Sequence, residues 1–367
     1  MGKGKDRRVF AKIMLNFLIF IVILSVLIIS HELGHFIAAR LSKIKVEKFA
    51  IGFGPPLIKF KVKETYILIC LIPLGGYVKL AGDTKSEHKG FDYEFLSKPC
   101  GVKARVVLFG PLFNYLLAFF IFWGVFVLGC PYPTTLVGKV LDGYPAKTAG
   151  IRKGDRILEV NGEKVDNWLQ LQEKIKKSKD KVVFTILREG KIVKIEVIPT
   201  KEKMQDILGR ERERVVVGIS ASSEVKIVRE NFIVAFFKGG GRVVYLTWLV
   251  IQGLFLTITG RVPLKEAVAG PVGIYYITQQ TAKLGGIALL NLMGILSVTL
   301  AIINLFPVPV LDGGHLFFFL IEKIRGKPMS EKWENLITQI GLALIISLAI
   351  LVFYNDIIRF GPKILGR

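Results

Sequence analysis

Charge disappears from the chain in four long stretches. Ile13 to Ser30 holds no charged residue, and its apolar character continues through a short polar motif to Ala39. That length makes about 40 Å of helix against about 30 Å of bilayer hydrocarbon. Val106 to Cys130, Leu284 to Leu311 and Leu336 to Asn355 are likewise uncharged and long enough to cross. A fifth run, Val243 to Gly260, lies between Arg242 and Arg261, and hydropathy alone would count it as a span as well.

The segments between these runs follow a different pattern. From Val46 to Gly82, branched and aromatic residues alternate with lysines and are broken by Gly52, Gly54, Pro55, Pro56, Gly75 and Gly76, which predicts strands and tight turns. Leu136 to about Thr200 reads as a soluble domain. Val182 to Leu187 and Ile192 to Ile198 are its strands around a Glu189-Gly190 turn, and Trp168 to Ile175 is a short helix. Lys201 to Arg214 is dense in charge and reads as an exposed linker. No internal repeat is visible.

Composition narrows the class to a polytopic membrane protein. The chain has 367 residues, 51% of them hydrophobic, with a mean hydropathy of +0.49. A net charge of +22 would suggest nucleic acid in a soluble chain. Here the lysines and arginines flank apolar runs, so anionic lipid headgroups are the nearest partner, and no nucleic acid is expected. Cys70, Cys100 and Cys130 are widely spaced and lack any paired motif, which points to neither a disulfide framework nor a thiolate metal site. The first run has no small-residue cleavage site and is expected to stay in the mature protein.

Chemistry concentrates at the end of that first run. His31 and His35 stand four apart, which places both imidazoles on one helical face where they can grip one ion. Glu32 can reach a water on that ion, take its proton and return it to a leaving amine. Polar groups inside an apolar span are costly and are usually functional. Two histidines leave a ligand missing, and the ionisable residues beside turn chemistry at the end of a later run are Asp312 and His315. Asp312 is the better choice, because two neutral imidazoles, a carboxylate and a hydroxide neutralise Zn2+ in a low-dielectric setting. His315 is then a supporting or structural residue.

These residues resemble the site-two protease family, and its bacterial regulator-of-sigma-E branch in particular. His31-Glu32-Leu33-Gly34-His35 is similar to that family's metal motif, and Asn304 to Gly313 to its second motif, whose aspartate supplies the third zinc ligand. Gly52-Phe53-Gly54-Pro55 and Pro73 to Tyr77 resemble its membrane-re-entrant hairpin, and Gly110 to Asn114 its second-span motif. The resemblance implies a substrate or oxyanion contact at Asn304, with Asn114 as a further candidate. Thr299 departs from the family pattern, which often has asparagine there. Tyr144 to Gly162 resembles a PDZ domain, present once, with a peptide ligand or a purely spacing role as the two alternatives.

The expected fold is therefore a polytopic α-helical membrane protein with four transmembrane helices, a membrane-re-entrant β-hairpin sheet and an inserted α+β PDZ domain. In chain order, residues 1–41 carry the first span and its motif, 42–104 a cytoplasmic-side loop with the hairpins, and 105–131 the second span. The PDZ domain occupies 134–200, a linker and membrane-associated segment 201–283, and the third span 284–312. A loop at 313–335, the fourth span at 336–356 and a tail at 357–367 complete the chain. His35 and Asp312 end the first and third spans, so those spans must run parallel to share an ion. A crossing by 243–260 would reverse the third span, and that segment is expected to lie along the membrane or dip into it.

The loop from Arg40 to Arg105 carries thirteen Lys and Arg against six acids, as a cytoplasmic loop should, although five further basic residues lie before Ile13. The family arrangement places the PDZ domain outside and the active site toward the cytoplasm of a cell inner membrane. The function implied is hydrolysis of single-span membrane proteins by one Zn2+ ion, with an anti-sigma factor or a remnant signal peptide as substrate. Because a helix hides its carbonyls, the substrate is expected to pair as a strand with the sheet at Ile51 and Phe53. A membrane scaffold with vestigial histidines is the alternative from another class, and zinc content separates the two.

Overall fold

The computed structural model describes residues 3–178, 180–205, 211–327 and 329–364. It divides into two compact units, one of residues 1–125 with 235–367 and the other of residues 126–234.

The first unit opens with α1 (Lys3–Leu41), a single helix through the charge-free run and the histidine motif. The chain turns at Lys43, whose φ is positive, into β1 (Val46–Val62) and β2 (Thr65–Leu80), an antiparallel hairpin. This hairpin folds over on itself: Lys48 to Ile51 neighbour Gly76 to Lys79 on one side and Tyr66 to Ile69 on the other. α2 (Cys100–Leu128) follows and passes through Pro111. Ala38, Ala39, Ile44, Val46, Leu80, Val106 and Val107 bury together, so the foot of α1, the sheet and the start of α2 share one core.

The second unit runs β3 (Cys130–Pro133), β4 (Val137–Val140), α3 (Pro145–Thr148), β5 (Arg156–Val160), β6 (Glu163–Lys164), α4 (Trp168–Lys177), β7 (Val182–Arg188), β8 (Lys191–Val197), β9 (Thr200–Gln205), β10 (Glu211–Val216), β11 (Ile219–Ala221) and β12 (Val225–Val228). β6-β5-β7-β8 form its main sheet. The Glu189-Gly190 turn has φ of 49° and 81°, the positive pair that a tight hairpin demands. α4 is capped by the Asn167 side chain, which accepts from the Gln170 amide at 3.0 Å. Its Trp168, Leu171 and Ile175 bury against Val160, Phe184 and Ile186.

Two expectations change in this unit. Lys201 to Arg214 is not a linker, because β9 and β10 pair antiparallel across it; residues 206–210 lie outside the described residues. The unit also does not stop near residue 200. β11 closes on β4 and β12 on β3, and Val217 joins the core, so chain from both ends completes the fold.

The first unit resumes with α5 (Phe232–Ile258), α6 (Leu264–Ala267), α7 (Pro271–Ala282), α8 (Gly286–Asn304), α9 (Asp312–Arg325) and α10 (Glu331–Ile364). Among the described residues five helices (α1, α2, α5, α8 and α10) are long and apolar enough to cross a membrane, by length and composition, and they match the four expected spans and the fifth run that hydropathy alone also counts. Three further boundaries are corrected. The third apolar run is not one helix to residue 312, because α8 ends at Asn304 and Asp312 begins a new helix. The cause is Pro307 and Pro309, which lack an amide hydrogen and force Phe306 and Val308 out of helical geometry. Residues 313–335, expected as loop, are mostly α9. α10 extends beyond 336–356 at both ends; the last three residues, 365–367, lie outside the described ones.

Inside the second unit, buried Asp155 accepts from Arg188 through both carboxylate oxygens at 2.8 Å, and from the Arg152 amide at 2.7 Å. Burial alone would raise its pKa, but Arg188 and that amide outweigh it and hold the carboxyl below the usual aspartate range. A depressed folded-state pKa stabilises the fold above the unfolded value of about 3.9, and that contribution is lost as pH falls through the folded value. The protection factors of the β7 amides in the full chain, taken against the intrinsic exchange rate at each pH, are expected to be steady near neutrality and to fall below about pH 4. Asp155→Asn should exchange faster at pH 7 and show a shallower acid dependence. An unchanged acid dependence would remove Asp155 as the titrating group.

Candidate metal centre

Two helices meet backbone to backbone at the centre. A Cβ on Gly34 of α1 would come within 3.0 Å of the Gly110 Cα and 2.6 Å of the Phe109 carbonyl carbon, so only glycine permits this approach. A Cβ on Gly110 of α2 would enter the His35 ring and stand 2.8 Å from His31 Cε1. The two imidazoles occupy the space that Gly110 leaves free.

The rings are oriented by what surrounds them. His35 Nδ1 lies 2.9 Å from the Val106 carbonyl. A carbonyl can only accept, so Nδ1 carries the hydrogen, and Nε2 of the neutral ring presents a lone pair. His31 Nε2 stands 3.2 Å away, the two rings being edge to face. Asn304, the last residue of α8, brings its amide nitrogen to 3.4 and 3.3 Å of the His31 ring nitrogens.

Asp312 arrives from the other side of the helix break. Gly313 and Gly314 lie against the carbonyls of Leu305, Phe306 and Val308, so the loop 305–311 folds tightly onto the first turn of α9. This places Asp312 Oδ2 at 3.1 Å from His31 Nε2 and Oδ1 at 3.5 Å from His35 Nε2. His31, His35 and Asp312 thus form a three-donor cluster. His315 is exposed on α9 and stands outside it.

The cluster fits a small divalent ion on two grounds. His31 Nε2 and His35 Nε2 stand 3.2 Å apart, each faces a different oxygen of Asp312 at 3.1 and 3.5 Å, and one ligand atom from each residue lies within 4.8 Å of the others, close enough to share one small ion. In addition, Asp312 Oδ2 is buried and accepts no hydrogen bond of good geometry. The lone pair on Nε2 of neutral His35 faces Asp312 Oδ1 at 3.5 Å, an arrangement that repels unless a cation or proton lies between them.

Glu32 lies half-buried beside the cluster, with the Val78 amide near its carboxylate. A Cβ on Gly76 would stand 3.1 Å from Glu32 Cγ, so β2 runs directly along the glutamate. The other expected contacts divide. Asn114 is completely buried, its side-chain amide without a hydrogen-bond partner and its backbone carbonyl accepting from Ser297 Oγ at 2.7 Å. Ile51 is an interior position of the folded sheet, flanked by Gly76 and Ile69, so its backbone has no free edge. Phe53 is half-exposed and stacks on Tyr77 at 6.5 Å. The Thr299 hydroxyl bonds back to the Ile295 carbonyl of its own helix. Sequence reasoning missed the Val106 carbonyl and the role of Gly110 as a seat for both rings. The first carries no side-chain signal, and the second was legible only as part of a motif.

A three-donor cluster with an adjacent carboxylate, set into helices of membrane-crossing length, defines a membrane-embedded metallohydrolase. The sequence model of peptidase family M50 matches residues 19–348. A candidate zinc metalloprotease of Clostridium acetobutylicum is 35% identical, covering 94% of this chain and 97% of that protein. The regulator of sigma-W protease, RasP, of Bacillus subtilis is 29% identical over 93% and 97% of the two chains. A PDZ domain from Listeria monocytogenes covers 24% of this chain at 23% identity, but its TM-score of 0.20 carries no argument. This chain belongs to peptidase family M50 and is a membrane metalloprotease.

Gly110→Ala is expected to displace both imidazoles while leaving the second unit intact. Zinc retained after purification should fall from near one equivalent to a small fraction. Wild-type zinc content in that variant would show that the rings do not need the space.

Proposed function

We propose that this chain is an intramembrane zinc protease, holding one ion on His31, His35 and Asp312. It cuts within or near the transmembrane segment of single-span membrane proteins, of the anti-sigma-factor or remnant-signal-peptide type, as the second cut of a two-step proteolysis. The observation that carries this reading is the meeting of three donor side chains, with ligand atoms within 4.8 Å of one another, from the ends of two charge-free runs far apart in sequence. A relative named as a regulator of sigma-W protease supports the substrate class.

When bound, zinc supplies Lewis acidity, which lowers the pKa of water toward about 7 and polarises a carbonyl. Glu32 takes the proton of the attacking water and delivers it to the leaving nitrogen. Asn304 Nδ2, beside the His31 ring, donates to the oxygen that gains charge during attack. The scissile segment lies extended, since a helix would hide its carbonyls. The strand within reach of Glu32 is Gly76–Val78, not the interior position at Ile51.

For the membrane arrangement, we take four of the five apolar helices as crossing and α5 as lying obliquely in the outer interface. Lys238 and Arg242 fall within α5, which makes a full crossing costly. α1 and α8 both carry their C-terminal ends to the site, and a crossing by α5 would reverse α8. The insert then lies outside and the metal toward the cytoplasmic side of the cell inner membrane, with the folded hairpin entering from that side. Within the insert, a groove of about 550 Å³ between α4 and Val215–Ile219 suits an extended peptide, which favours peptide binding over a spacing role.

Glu32→Gln is expected to keep zinc and lose at least about 100-fold in cleavage of a single-span substrate. Asp312→Ala and His35→Ala should lose the zinc itself. Equal turnover by wild type and Glu32→Gln would remove the mechanism. In right-side-out vesicles, external protease should cut the insert and an externally added peptide should reach its groove. An insert protected until the vesicles are lysed would reverse the orientation.

A further inference from the structure

Lys103 is only 4% exposed, near the start of α2. Its Nζ donates to both carboxylate oxygens of Glu322 on α9, at 3.0 and 2.9 Å, and lies 5.1 Å from the centre of the Phe319 ring. Withdrawing an ammonium and a carboxylate from water costs several kcal/mol per ion, and a well-packed apolar pair of like size serves stability about as well. What an ion pair adds is a tether: two hydrogen bonds from one buried ammonium to one carboxylate tie a point on α9 to a point on α2.

Lys103, Val106 and Gly110 recur at intervals of three and four and so share one face of α2. Val106 orients His35, and Gly110 seats both imidazoles. Lys103 holds the helix whose first residue is Asp312. All three donors are thereby set against a single face of α2. The apolar contacts of Leu316 and Phe319 with the neighbouring core are non-directional and by themselves specify the height and rotation of α9 less sharply than a hydrogen-bonded pair does. Asp312 and Glu322 are ten residues apart on one unbroken helix, about 15 Å of a stiff rod, so a displacement at Glu322 is delivered at Asp312.

We propose that the Lys103–Glu322 pair is a positioning device for the metal centre: it sets the height and rotation of α9 on α2, and through them the place of the Asp312 carboxylate opposite His31 and His35. The proposal rests on the metal-site reading above. It assigns the pair no contact with substrate or ion.

The test compares wild type, Glu322→Gln, the apolar double variant Lys103→Met/Glu322→Leu, the charge-reversed Lys103→Glu/Glu322→Lys, and His35→Ala, all as full chain in detergent. Zinc affinity is read by competition with a chromogenic chelator, and thermal unfolding is followed alongside. The apolar variant should melt close to wild type yet bind zinc at least about tenfold more weakly. The charge-reversed variant should recover most of the lost affinity. If the apolar variant fails to fold, the isosteric Glu322→Gln carries the same comparison. Wild-type zinc affinity without the pair would overturn the proposal, as would affinity and melting temperature falling together in every variant. His35→Ala keeps the two readings apart. Wild-type affinity in His35→Ala would sink the metal site itself, whereas loss there with none in the apolar variant would sink this proposal alone.

Discussion

The contact of α1 with α2 at Gly34 and Gly110 governs the geometry of everything around it. Two helices ordinarily stand 8–10 Å apart because side chains intervene; here neither glycine has one, and the backbones close until the imidazoles of α1 rest on α2 itself. That approach brings the Val106 carbonyl to His35 Nδ1, which leaves the opposite nitrogen bare and aimed at its partners. The contact therefore determines both the place of the donors and their protonation pattern. In a low-dielectric setting a bare nitrogen beside a buried carboxylate is tolerable only with a cation to share.

The break between α8 and α9 solves a second geometric problem. Asn304 and Asp312 are eight residues apart, and in one continuous helix they would stand about 12 Å apart along the axis, too far for both to address His31. Pro307 and Pro309 end the helix, and Gly313 and Gly314 let the following turn fold back onto the carbonyls of Leu305 to Val308. Asp312 thus begins a helix instead of ending one. The same arrangement hands its placement to α9, and through Glu322 to α2, so one helix face becomes the reference for ligands from two others.

The folded hairpin serves the site in a way distinct from a simple open edge. Its inner strand is paired on both flanks, and its outer strand runs along the Glu32 stem at Gly76. A catalytic carboxylate on a helix would otherwise be free to swing among rotamers; the close strand backbone restricts it. The insert is built on separate principles, with its own core and a buried aspartate–arginine pair, and it is closed by strands from both ends of its segment.

The charge-free runs, the i, i+4 histidines with their glutamate, the Glu189-Gly190 turn and the amphipathic α4 all follow from local chemistry, and each was legible without a structure. Asp312 could be singled out over His315 because an electroneutral site and a turn-rich flank are properties of composition. Tertiary structure alone decided the rest. That Ile51 is interior depends on a hairpin folding over itself, that Asn114 is buried depends on how α8 packs, and that residues beyond 200 complete the insert depends on strands pairing across eighty residues. Hydrophobic period and turn propensity act over a few residues and can name an element or a motif. Which backbone carbonyl orients a ring, and which strand is left as an edge, are fixed only when distant segments meet.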